Sequence, residues 1–193
     1  MLSHYIQIQT MKGVLIRTLT IAGFAALTAI SARVSIALPN SPVPITFQVL
    51  VVQLAALSLG AKAGAASQAP YLAAISAGLP LDAKGLGVAV WTQPTAGYLV
   101  GFIAASFTIG RLTEMGFSQN RILRLISGLV GVGVIYMIGV TWLTLGFLGG
   151  DWARGWAQGI APFILIDLAK AVVAAGIAGG VRAWLAEPQG GLM

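Results

Sequence analysis

The sequence predicts an all-α integral membrane protein, a bundle of six transmembrane helices with both termini cytoplasmic. Three observations point there. Of 193 residues, 58 % are hydrophobic and only 8 % are charged, and the mean hydropathy is +0.90. A soluble domain carries about 25 % charged residues, so this chain cannot cover a water-facing surface. The apolar residues fall into blocks of spanning length separated by Pro and Gly clusters, and Lys and Arg gather in alternate gaps between the blocks.

The same composition excludes other classes. There is no Cys, hence no disulfide scaffold, and the apolar content excludes disorder. With one histidine, His4, and no Cys, the chain has no cluster for a soft transition metal and no histidine- or cysteine-based nucleophilic triad. The net charge of +6 comes from basic residues placed singly or in pairs, with no basic run. That pattern orients a chain in the bilayer and gives no nucleic-acid face.

A span needs about 20 apolar residues. The first is predicted over about Val14 to Ala37, stopped by Pro39, Asn40, Ser41, Pro42 and Pro44. The second covers about Ile45 to Leu59, closed by Gly60, and the third about Ala63 to Leu79, closed by Pro80; both are short. The fourth covers about Val88 to Leu112 and contains Pro94 and Gly97, which predicts a broken or late-starting helix. The fifth runs from about Ile122 to Leu148, ahead of Gly149 and Gly150. A short interfacial helix is expected at Trp152 to Gln158, and the sixth span from Pro162, a residue suited to a first turn, to about Leu185.

The chain thus reads as a single membrane domain over 1–193: a cytoplasmic segment 1–13, the bundle 14–185 and a tail 186–193. The first apolar stretch is longer than a signal-peptide core of roughly 7–15 residues and is expected to be a retained helix. With the N-terminus inside, Lys12, Arg17, Lys62, Arg111, Arg121, Arg124 and Arg182 share one side. Arg33, Lys84 and Arg154 share the other, so seven against three places both termini in the cytoplasm of a multi-pass cell-membrane protein. No internal repeat supports an inverted-repeat transporter.

The chemistry concentrates in Asp167 and Lys170, three apart on one face of the sixth span and a few residues below its outer end. Each costs about 2.5–3.5 kcal/mol at a helix centre, an expense that pairing offsets in part. Two readings stand: a structural ion pair, or a site for a polar ligand that both donates and accepts hydrogen bonds. A proton-coupled role for Asp167 is a further option. Thr46 and Gln48, behind Pro42 and Pro44, are either ligand contacts or caps of the second helix. Trp91 near a span boundary suits either the interfacial belt or the ligand, and Tyr98, deeper, could stack on a ring. In the first span Ala22 and Ala26, and likewise Ala25 and Ala29, pair at four-residue spacing. They serve either ordinary packing or close approach by another membrane subunit. No lysine follows a glycine, so a phosphate-binding Gly-Lys-Ser/Thr core is absent and any ATP-driven transport needs another chain.

These segments resemble the BioY family, the biotin-specific S components of energy-coupling factor transporters. The residues that carry the resemblance are Ala32-Arg33-Val34-Ser35-Ile36, Pro42 through Gln48, Leu57 through Gly64, Gly78-Leu79-Pro80, Pro94 through Phe102 and Pro162 through Lys170. They stand in family order over most of the chain.

The resemblance implies a non-enzymatic subunit that captures biotin from outside, with no cofactor. Asp167 and Lys170 would hold the polar ends of the ligand, and the alanines of the first helix would meet a transmembrane coupling subunit. Two ATPase subunits would power release inside. The segment ahead of Pro94 departs from the family pattern, and Leu99 stands where some relatives carry a polar or basic side chain. Lys84 and Gln93 are the candidates to compensate, and the loop Leu81 to Gln93 is expected to act as a lid. The rival readings are a solitary vitamin carrier driven by an ion gradient through Asp167, and a structural membrane subunit. An intramembrane enzyme is disfavoured because Asp167 is the only acidic residue clearly inside a span.

Overall fold

The computed structural model describes residues 2–186, with side chains described over 13–185. The expected tail at 186–193 therefore lies outside the described residues, save the backbone of Ala186. The chain is a mostly helical membrane protein. Among the described residues, four helical stretches are long and apolar enough to cross a bilayer: Gly13–Arg33, Ala96–Phe117, Arg121–Phe147 and Ile164–Leu185. Two shorter helices, α2 (Gln48–Leu59) and α3 (Ala61–Ser76), complete the bundle.

The first helix, α1, runs Leu2–Arg33 and stops four residues before the expected Ala37. The Pro-rich stretch beyond it is not a loop. Strands β1 (Ser35–Leu38) and β2 (Ser41–Thr46) pair antiparallel across Pro39 and Asn40, pairing Ser35 with Thr46 and Ile36 with Ile45, with an irregularity before Leu38. The expectation of an all-α chain is corrected by this hairpin, and so is the start of the second helix, at Gln48 rather than Ile45. Pro42 and Pro44 cannot donate a backbone hydrogen bond, which bars a helix but suits a two-stranded ribbon with an open outer edge.

At the other end of α2, Gly60 makes the sharp joint to α3 with φ of 80°, a conformation that a side chain would strain. The Glu114 carboxylate accepts the Ala61 N–H at 2.9 Å and satisfies one of the free donors of α3. Helix α3 continues through Pro70 and ends at Ser76, short of the expected Leu79.

After a 3₁₀ turn at Gly87–Thr92, α4 occupies Ala96–Leu112, the late start that Pro94 dictates. It leads through a wider turn, Thr113–Phe117, to α5, Arg121–Phe147. The short α6, Trp152–Gly159, begins on an Asp151 side chain that accepts the Arg154 N–H. Helix α7 spans Ile164–Ala186, and Pro162 sits in the turn before it instead of in its first turn. Helices α4 and α5 pack so closely that a Cβ on Gly97 would collide with Trp142 and one on Gly139 with the Tyr98 ring. Without a hydrophobic drive between helices in lipid, such small residues are what lets backbones approach. Large apolar side chains such as Leu165, Val172 and Met137 point outward, as lipid requires.

Candidate binding site

The hairpin, the segment from Ala77 to Thr95 and helix α6 all lie at one end of the bundle, the hairpin end. There the hairpin and the Ala77–Thr95 segment border a cavity with about 650 Å³ of empty space, its open mouth included. Its walls come from distant parts of the chain: Val43 to Thr46 of the hairpin, Gln48 and Val49 of α2, Tyr98, Leu99 and Phe102 of α4, Tyr136 of α5, and Phe163, Asp167 and Lys170 around α7.

The floor is polar and buried. Asp167 is 3 % exposed and Lys170 is 7 % exposed. The Lys170 ammonium donates to Asp167 Oδ1 at 2.7 Å, and the Tyr136 hydroxyl donates to Asp167 Oδ2, also at 2.7 Å. Each carboxylate oxygen accepts about two hydrogen bonds and an ammonium donates three. The floor therefore keeps both acceptor and donor capacity facing an apolar cavity. On the α2 side, Gln48 Nε2 donates to the Tyr71 hydroxyl at 2.7 Å, while Thr46 Oγ1 donates to Gln48 Oε1 at 3.2 Å. Thr46 Oγ1 also accepts the Gln48 N–H at 3.3 Å, so it serves the helix start and the cavity wall at once.

The segment across the mouth is organised by a carboxylate that sequence reading passed over. Asp82, 1 % exposed, accepts the N–H groups of Lys84 at 3.0 Å and Gly87 at 2.8 Å. Lys84 then reaches across to the Pro42 carbonyl at 3.0 Å, and Ser41 donates to the Gln158 carbonyl at 2.6 Å. Arg33 at the end of α1 donates to the carbonyl oxygens of Pro80 and Asp82. Hairpin, Leu81–Gln93 loop and α6 are tied together by these bonds.

Of the residues singled out from sequence, Asp167, Lys170, Thr46, Gln48, Tyr98 and Lys84 line this one cavity. Tyr98 does so with its hydroxyl already committed to the Gly159 carbonyl at 2.9 Å. Trp91 and Gln93 do not line it. The 3₁₀ turn sends Val90 inward, and its neighbour Trp91 instead donates to Ser76 Oγ at 3.1 Å. Gln93 serves through its backbone, whose carbonyl accepts the Trp142 indole N–H at 3.0 Å.

The alanine pairs of α1 separate as well. Ala22 and Ala26 are exposed, whereas Ala25 is buried in the core and Ala29 packs against it. Ala25 faces the protein's own interior, and Ala29 is half-buried beside it. Tyr136 and Tyr71 were not singled out from sequence; a phenol in the middle of an apolar span, which needs a partner for its hydroxyl, was the available signal.

A family model described as the BioY family matches residues 6–187. The chain belongs to the BioY family. A BioY described as a biotin transporter from Thermotoga maritima is 43 % identical over 157 residues, covering 80 % of this chain and 89 % of that protein. The biotin transporter BioY of Rhizobium etli is 37 % identical over 160 residues, covering 78 % and 84 %. Among solved structures, the S-component for biotin from an ECF-type ABC transporter superposes with a TM-score of 0.80 at 27 % identity. That match covers 91 % of this chain and 93 % of the other, so the S-component fold extends over most of the chain.

Proposed function

We propose that this BioY chain is the biotin-binding membrane subunit, or S component, of an ECF-type transporter, a carrier of substrate and not an enzyme. The observation that carries this reading is the buried Asp167–Lys170–Tyr136 floor beneath apolar walls. Biotin has a ureido group with two N–H donors and one strong oxygen acceptor, joined to an apolar bicycle and chain. Asp167 takes one ureido N–H, and Lys170 beside it donates to the ureido oxygen. Phe102, Phe163 and Leu99 cover the apolar part, and Lys84 stands at the mouth for the valerate carboxylate. An apolar pocket with a few convergent polar groups is the usual design of such sites.

In this reading the chain is one membrane domain of six spans, α2 and α3 being the two short ones, with both termini cytoplasmic. The hairpin end then faces outside, and the Leu81–Gln93 segment with the hairpin forms the lid. Exposed Ala22 and Ala26 meet a transmembrane coupling subunit, and two ATPase subunits supply the energy. The test is equilibrium binding of labelled biotin to the purified chain in lipid, compared with Asp167→Asn and Lys170→Ala. Wild type is expected to bind tightly and each variant to lose affinity by about a hundredfold, the scale of one charge-assisted hydrogen bond. Absence of binding by folded wild type overturns the reading.

A further inference from the structure

At the end of the bundle opposite the cavity, Arg17 of α1, Lys62 of α3 and Arg111 of α4 converge on one groove. The groove contains a single acid, Glu114, and its charge is already engaged. Glu114 Oε1 accepts the Ala61 N–H at 2.9 Å, and Oε2 accepts from Arg111 at 3.0 Å. Among the described residues, Arg17 and Lys62 make no ion pair. Three cations against one acid leave the groove positive.

The positive groove opens onto an apolar track. Val100, Ile103 and Phe107 of α4 are 48 %, 36 % and 47 % exposed, and with Arg111 they form a single stripe of the helix. From Val100 to Arg111 the helix rises about 16 Å, at about 1.5 Å per residue. One leaflet of a hydrocarbon core about 30 Å thick is about 15 Å deep. A cationic head site thus stands one leaflet's depth from the far end of an exposed apolar stripe.

We propose that this groove binds an anionic phospholipid, with its headgroup phosphate among Arg17, Lys62 and Arg111 and an acyl chain along Phe107, Ile103 and Val100. A basic pocket between helices, flush with the headgroup layer, recognises the negative charge of a lipid head. The long Arg and Lys stems extend toward the interface while their ends meet the phosphate. A zwitterionic lipid would fill the same track without the charge match.

The test uses the full chain in nanodiscs of phosphatidylcholine containing phosphatidylglycerol, with spin-labelled probes of each lipid in turn. Wild type is expected to immobilise labelled phosphatidylglycerol in preference to labelled phosphatidylcholine, and salt is expected to weaken the preference. The Arg17→Gln/Lys62→Gln variant should lower that preference about tenfold with biotin binding unchanged, and Arg17→Lys should retain it. Equal immobilisation of the two lipids by wild type overturns the proposal, as does an unchanged preference in the double variant. Loss of association with coupling and ATPase subunits in that variant, at unchanged lipid preference, also overturns it and gives the face to a protein partner.

Discussion

Helix α7 carries two different interiors along one length. Near the hairpin end it turns Asp167 and Lys170 inward, and a cavity opens in front of them. From there on, the inward residues are Ala171, Ala174, Ala175 and Ala178, each 2 % exposed or less, with Ala174 and Ala178 packed against Ala56 and Leu57 of α2. In water the alanine stretch would be explained by hydrophobic burial. In lipid that drive between helices is missing, and side-chain size decides instead. Alanines let α2 and α7 close on each other, and larger polar groups that need hydrogen bonds hold the helices apart. The cavity lies where the small-residue packing stops.

The sharpest way to break this comparison is to separate charge from binding at the polar stretch. Lys170→Met leaves the Asp167 carboxylate buried without its cation, and is expected to destabilise the fold by about 3–5 kcal/mol. Asp167→Asn/Lys170→Met removes both charges and should recover most of that stability while binding stays lost. Thermal unfolding in detergent, run beside biotin binding, checks this. If the double variant binds biotin, the pair is only a structural lock.

The alanine stretch is tested by overfilling it. Ala174→Leu, at a position with no exposed surface, is expected to cost about 1–3 kcal/mol of stability. Its biotin affinity per folded molecule should change little, because Ala174 lies two turns from Asp167. Unfolding midpoints with and without biotin report both quantities. A smaller effect belongs to Tyr136→Phe, which removes one hydrogen bond to Asp167 and leaves the ring in place. Biotin affinity should fall about tenfold, consistent with about 1–1.5 kcal/mol for the bond, as calorimetry would read directly. The smallest effect is expected from Gln93→Ala. Its structural contact is made by the backbone carbonyl, so affinity should stay within about twofold. A large loss there would place the Gln93 side chain in the bound state and extend the site toward α4.

Much of the helical order is legible in the sequence. Pro94 delays α4 to Ala96, Gly149 and Gly150 close α5, and Asp151 begins α6, each by local backbone chemistry. The hairpin is not legible from Pro42 and Pro44. Their missing donors exclude a helix, but they do not distinguish an irregular loop from an edge ribbon. Asp82 and Tyr136 are illegible for another reason. A carboxylate in a polar loop and one phenol in an apolar span become significant only through partners far along the chain, Gly87 and Asp167.

Composition and hydropathy by themselves determined that this is a helical membrane protein, because a chain with 8 % charge has no aqueous surface to offer. The spacing of Asp167 and Lys170 determined that two charges share a helix face, because helical geometry is local. Tertiary structure alone decided that the pair faces a cavity, with Tyr136 across from it and Lys84 at the mouth, while Trp91 and Gln93 stay outside. It also decided that Ala25 and Ala29 turn inward while Ala22 and Ala26 remain exposed. The rotation of a helix in lipid depends on the shape of its neighbours, and that shape is not written in its own periodicity.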